Sequence, residues 1–313
     1  MECVGVRQVL RVRPKGRAVL AAALVLGAAT GCSSAGQEGG AASQPAPARS
    51  FDAADPATWT LPIEAYLPSE GQDRQAAKAK ELLIADCMKD LGLDWSPAPD
   101  LPDMGPKTLT DWRYGIHDAA LAKKRGYKPD AAEQAAYDKA MEAGALDEDA
   151  GNGGTAEAAL RGSRTEINGK AVPKGGCAGR AASRLGSDGT EFSEAAQRIG
   201  NDAFVRSKQD PKVVAVFREW SSCMKDSGYS YKEPLDASDD PRFSAPDVSG
   251  LEISTALADL ACRKRHAVAR TWFDAESALQ QQAIEKNAEN LDRIKKSRDA
   301  MVKKASSLLA GTA

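Results

Sequence analysis

The sequence predicts a mainly α fold: two unequal, related helical halves, each with one disulfide, followed by a long C-terminal helix or helical hairpin. Three observations carry that expectation. Cys87-Met88-Lys89-Asp90-Leu91-Gly92 returns 136 residues further on as Cys223-Met224-Lys225-Asp226-Ser227-Gly228, with Trp95 opposite Tyr231 in the same register. One further cysteine follows each copy, Cys177 and Cys262. From Ser254 to about Leu309 the chain holds neither Pro nor Gly, and its apolar residues recur at helical spacing.

The chain begins with a targeting segment, residues 1–31, to be set aside before fold is argued. Arg7, Arg11, Arg13, Lys15 and Arg17 make a basic region, and Ala18 to Ala29 an uncharged apolar stretch. Twelve residues are too few to span a bilayer, which takes about 20, but they suit the core of an export signal. The stretch closes on Ala29-Thr30-Gly31-Cys32. Small residues just before a Cys resemble the lipobox of bacterial lipoproteins, with Ala29 standing where that motif usually has Leu, Val or Ile. The resemblance implies a lipidated Cys32 carrying palmitate-type acyl chains as the new N-terminus. The alternative is an ordinary secreted protein with an unmodified Cys32.

Residues 1–31 hold five of the 42 basic side chains and one of the 44 acids, so the remainder has a net charge near −6. Such a balance argues against nucleic acid as a partner. Residues 32–58 read as a disordered tether, because Gly, Ala, Ser, Gln and Pro leave almost nothing to bury. The first helical half is set at 59–190, the second at 191–273, and the long C-terminal helix or coil at 274–313.

With Cys3 in the leader and Cys32 acylated, four cysteines remain, and an even number in an exported chain reads as two disulfides. Four cysteines allow three pairings. The repeat selects Cys87–Cys177 and Cys223–Cys262, and Arg180 with Ala182 and Arg265 with Ala267 follow the second cysteines at equal offsets. A metal site is the competing reading, but there is no Cys-x-x-Cys and the only histidines, His117 and His266, lie far apart. No metal and no cofactor are expected.

In chain order, order starts near Trp59-Thr60-Leu61-Pro62-Ile63. A helix follows over about 72–91, with Leu83, Cys87 and Leu91 on one face, Lys89 favouring its C-terminal dipole and Gly92 stopping it. Short helices are expected at 118–124 and 131–143. An acidic loop is expected over 146–154, and a two-residue hairpin turn at Asn168-Gly169. Residues 94–175, bearing Trp112, Tyr114, Tyr127 and Tyr137, have no counterpart in the second half and read as the place of specialisation. A helix over 191–208 links the halves. Pro211 opens the next one, whose core face is Val213, Phe217, Trp220 and Met224. Ser249 with Glu252 suits a capping box for the Cys262 helix. Arg263 to His266 read as an exposed face. Ile284, Leu291, Ile294, Met301 and Leu308 form a weak heptad seam. It serves either to fold the helix back on the body, for a coiled coil with itself or a partner, or for contact with anionic membrane or envelope polymer.

No catalytic constellation stands out: there is no Gly-x-Ser-x-Gly, His-Glu-x-x-His or phosphate-binding loop. The order Ala29 to Cys32, Cys87 to Gly92, Arg113-Tyr114-Gly115-Ile116 with Gly126-Tyr127, Pro173 to Cys177 and Trp220 to Met224 resembles a family of uncharacterised lipoproteins of actinobacteria. The resemblance implies an extracytoplasmic protein on the outer face of the cytoplasmic membrane, anchored through Cys32, and implies no activity. A binding or accessory protein is the leading expectation, with Trp95, Trp112, Tyr114 and Tyr231 as candidate partner-binding residues. An envelope hydrolase with a carboxylate-only active site and a purely structural spacer are the alternatives.

Overall fold

The computed structural model describes residues 51–145, 153–186 and 191–311. The leader, Cys32, most of the tether and the acidic run 146–152 lie outside the described residues.

Helix α1 (Glu70–Asp90) starts on a Ser69/Gln72 capping box. Its end explains the repeated motif. Gly92 takes φ +71°, Leu93 N–H donates to Met88 C=O and Gly92 N–H to Lys89 C=O, a Schellman stop. The second copy ends α7 (Pro211–Asp226) identically, with Gly228 at φ +88°, Tyr229 N–H on Met224 C=O and Gly228 N–H on Lys225 C=O. Cys-Met-Lys-Asp-x-Gly is thus a helix terminus in both places: Met88 and Met224 are fully buried, and each lysine is exposed in the last turn.

Between them lie α2 (Ala119–Arg125) and α3 (Ala131–Glu142), each started by an Asp N-cap, Asp118 and Asp130. Next come α4 (Gly153–Arg161) and the hairpin of β1 (Glu166–Ile167) and β2 (Lys170–Ala171), turned by Asn168 and Gly169 with φ of 50° and 73°. Then follow α5 (Gly176–Leu185) and α6 (Glu191–Ser207). After α7 come a short α8 (Pro234–Ser238), α9 (Gly250–Arg265), α10 (Val268–Lys286) and α11 (Ala288–Ala310). The stretch expected to be continuously helical is therefore three helices. It breaks at Ala267, held at φ +49°, and at Asn287. No described helix is long and apolar enough to cross a membrane.

The disulfides join Cys87 of α1 to Cys177 of α5 and Cys223 of α7 to Cys262 of α9. The likeness of the halves stops at the first cysteine of each pair. Cys177 opens α5, whereas Cys262 lies in the last turn of α9.

The divisions at 190 and 273 do not divide the core. Around Cys87–Cys177, α1, α4 and α5 bury Leu83, Met88, Leu160 and Leu185 together with Ala305 of α11. Around Cys223–Cys262, α7, α9 and α10 bury Trp220, Met224 and Trp272 together with Trp59 and Tyr114 from the first half. The heptad seam is occupied within the chain. Ile284, Leu291 and Ile294 close on Leu61, Ile63 and Ala196, while Met301 and Leu308 pack on the first core. Of the three uses weighed for that seam, folding back on the body is the one observed.

Candidate functional site

The insertion earns its place by docking, not by exposure. Residues 112–128 lie against α9 and α10, and three charged pairs hold them there. Arg113 forks onto Glu276 of α10, with Nε–Oε2 3.0 Å and Nη2–Oε1 2.6 Å. Tyr114 O–H donates to Glu276 Oε2 at 2.8 Å, and Gln280 Nε2 donates to Oε1 at 2.7 Å. Gln280 in turn accepts from Ile63 N–H. The Glu276 carboxylate is completely enclosed, and burial followed by that charge pushes the Tyr114 phenol far above its ordinary pKa.

The second pair lies one helix away. Asp259 and Arg263, one turn apart on α9, meet at 2.6 Å, both buried. Trp220 Nε1–H and Tyr127 O–H also donate to Asp259. Burial raises the Asp259 carboxyl, opposed chiefly by the Arg263 charge. Arg263 then donates to Tyr114 C=O and, at 2.6 Å, to Pro234 C=O. Gly115, at φ +100°, passes directly over that guanidinium, and a Cβ there would overlap it. The residue expected on an exposed face is instead the central bolt of the interface.

The third pair is Lys128 Nζ with Glu252 Oε2 at 2.6 Å, where Glu252 Oε1 also accepts from Tyr127 N–H. Ser249 caps α9 by accepting from Glu252 N–H, but the expected reciprocal bond is not made. The Glu252 side chain is spent on the insertion.

Of the four aromatic residues expected to meet a partner, Tyr114 is a core residue, 1% exposed, edge-on to Trp272 at 5.5 Å. Trp112, at φ +60°, is half-buried against Ile116, Ala122 and Ala256. Trp95 is half-buried on the first core, its buried indole N–H without an acceptor. Tyr231 is half-buried, and its hydroxyl donates to Asp240 at 2.7 Å while accepting from Arg242. Burial first, and the bond to Asp240 next, push the Tyr231 phenol up to about 12. Arg242, bonded to both Asp240 oxygens, holds that carboxyl well below the usual range.

His117 sits between two carboxylates, Nε2 2.8 Å from Asp111 and Nδ1 3.4 Å from Asp55. The nearby hydroxyls are already donating, Thr108 to Ala57 C=O and Thr110 to Trp59 C=O. The group works as a staple fastening the start of the folded chain to the insertion. Among the described residues no three His, Cys, Asp or Glu side chains gather as a metal site. The enclosed carboxylates of Glu252, Asp259 and Glu276 each have a cationic partner.

Among the described residues, α3 and a groove beside α11 are open to solvent. Helix α3 buries none of its residues and is tied to the body by Glu133, which accepts from Gly105 N–H and pairs with Lys107 at 2.6 Å. An open groove of about 590 Å³ runs between the end of α5 and α11, lined by Arg184, Lys303, Lys304, Ala300, Ser307 and Leu308. The basic end of α11 was legible in the sequence, whereas its convergence with Arg184 was not. Comparison of the chain with protein-family models, with curated proteins and with solved structures finds no match.

Proposed function

We propose that the chain is an exported lipoprotein, held on the outer face of the cytoplasmic membrane by acylated Cys32, whose folded part acts as a binding or accessory protein. One observation carries the reading: an uncharged stretch of signal length ends on Ala29-Thr30-Gly31-Cys32 and runs straight into a Gly/Ala/Ser/Pro segment. Two disulfides in the folded part support it, since such bonds persist in oxidising compartments. Glu252, Asp259 and Glu276 are spent on holding the chain together, while α3 and the open groove face outward.

Membrane fractionation of cells making the parent or the Cys32→Ser chain tests the anchor. The parent is expected in the membrane pellet and in the detergent phase, with Cys32→Ser released or left uncleaved. A Cys32→Ser chain processed and pelleted like the parent refutes it. Chemical crosslinking of the parent in the same cells is expected to trap a reproducible protein partner at residues 94–175, and crosslinks confined to the chain itself count against the accessory role.

A further inference from the structure

The groove between α5 and α11 has the chemistry of a site for an anionic amphiphile. Arg184 comes from the last turn of α5, Lys303 and Lys304 from α11, and none of the three has a carboxylate partner among the described residues. Lys304 is seated: its Nζ lies 3.0 Å from where a Cβ would stand on Gly186, at the carbonyl end of α5, which favours a cation. The helical repeat also puts Lys296, Ala300, Lys303 and Ser307 on one face of α11, extending the charge along the groove. Asp299, the acid nearest to it in sequence, is engaged by Arg298 at 2.9 Å. Alongside the cations, Ala300 and Leu308 give an apolar wall.

A free phosphate would use the cations and leave that wall idle. An amphiphile uses both, because an arginine fork and two ammonium groups match phosphate oxygens while the wall takes a hydrocarbon segment. We infer that the groove binds the phosphate of an anionic phospholipid, with Arg184, Lys303 and Lys304 around the headgroup and Ala300 and Leu308 against its glycerol-acyl end. The inference rests on the membrane-tether reading in one respect. A chain acylated at Cys32 is held at the surface that supplies such headgroups.

The test removes the anchor, so that its failure is separate from a failure of the acylation reading. The chain without residues 1–31 and carrying Cys32→Ser is sedimented with phosphatidylcholine vesicles made with and without phosphatidylglycerol. Binding is expected only with phosphatidylglycerol and is expected to weaken with salt. Lys303→Ala with Lys304→Ala should lower the partition coefficient roughly 25-fold, at about 5-fold per lysine. Ala300→Glu, which sets a carboxylate one turn before both lysines, should also lower it while keeping the helix intact by circular dichroism. The pair Lys123→Ala and Lys124→Ala on α2 makes the same charge change elsewhere and should leave binding in place. Equal losses from both lysine pairs, no binding to phosphatidylglycerol, or shielding of Lys303 and Lys304 from amine modification by inorganic phosphate alone would each overturn the inference.

Discussion

The two disulfide-centred cores differ in what specifies them. Around Cys87–Cys177 the enclosed side chains are Ala, Leu, Ile, Met and Cys, and none is charged. Around Cys223–Cys262 the core is aromatic: Phe217 and Phe204 pack on Trp272 with ring centroids 5.0 Å apart, and Trp59 and Tyr114 arrive from the other half. The second core also has three charged pairs along its border with the insertion. Apolar packing is non-directional and accepts many arrangements, whereas buried charges accept few. The first core therefore holds helices together, and the second fixes where residues 112–128 lie.

The largest expected effect breaks that contrast at its centre. Glu276→Leu leaves Arg113 and Tyr114 without their acceptor and should cost about 3–5 kcal/mol in urea unfolding. Arg113→Met combined with Glu276→Leu should recover the part owed to the unpaired guanidinium, while Tyr114 O–H and Gln280 Nε2 stay without their acceptor. A double variant as unstable as the single one would show that packing, not charge, sets the cost.

A smaller effect compares the disulfides. They close loops of 90 and 39 residues, worth roughly 4.6 and 3.9 kcal/mol on the chain-entropy model. Removing Cys87 with Cys177 should thus cost about 0.7 kcal/mol more than removing Cys223 with Cys262. The reverse order in thermal unfolding would mean that the aromatic core depends on its bond for packing.

The smallest effect is alkaline. Tyr231 is pushed up to about 12, and Tyr114 and Tyr127 higher still. A tyrosine raised above its unfolded value of about 10 contributes stability that is complete below pH 10 and is lost as pH rises through the folded value. Phenolate absorbance should show a step near pH 12 that Tyr231→Phe removes. Tyr114 and Tyr127 should ionise only as the helical signal falls. Early ionisation of either would mean that the insertion lifts off before the body unfolds.

Local signals were legible because each needs only residues a turn or two away. Ser249 caps α9 as its place in the sequence suggested, and Ser69, Asp118, Asp130 and Asp210, not singled out beforehand, cap their helices in the same local way. Gly92, Gly228 and Asn168-Gly169 turn where their positive φ is tolerated. Ala267 shows the limit. Nothing local announces that an alanine will sit at φ +49°; the packing of α9 and α10 imposes it. Glu252 shows the same limit at a cap, since its place in sequence suits a local bond that a lysine 124 residues away takes instead.

By itself the sequence determined the helical class, the stops of α1 and α7, and the hairpin. It also supported the pairing of cysteines within halves that the structure has. The tertiary structure alone decided that residues 112–128 of the insertion dock on the second core, that Arg263 is a buried bolt and that Arg184 meets Lys303 and Lys304. A buried glutamate and an exposed one look alike on a helix. Contacts such as Arg113 with Glu276, 163 residues apart, exist only once the chain has closed the loop between them.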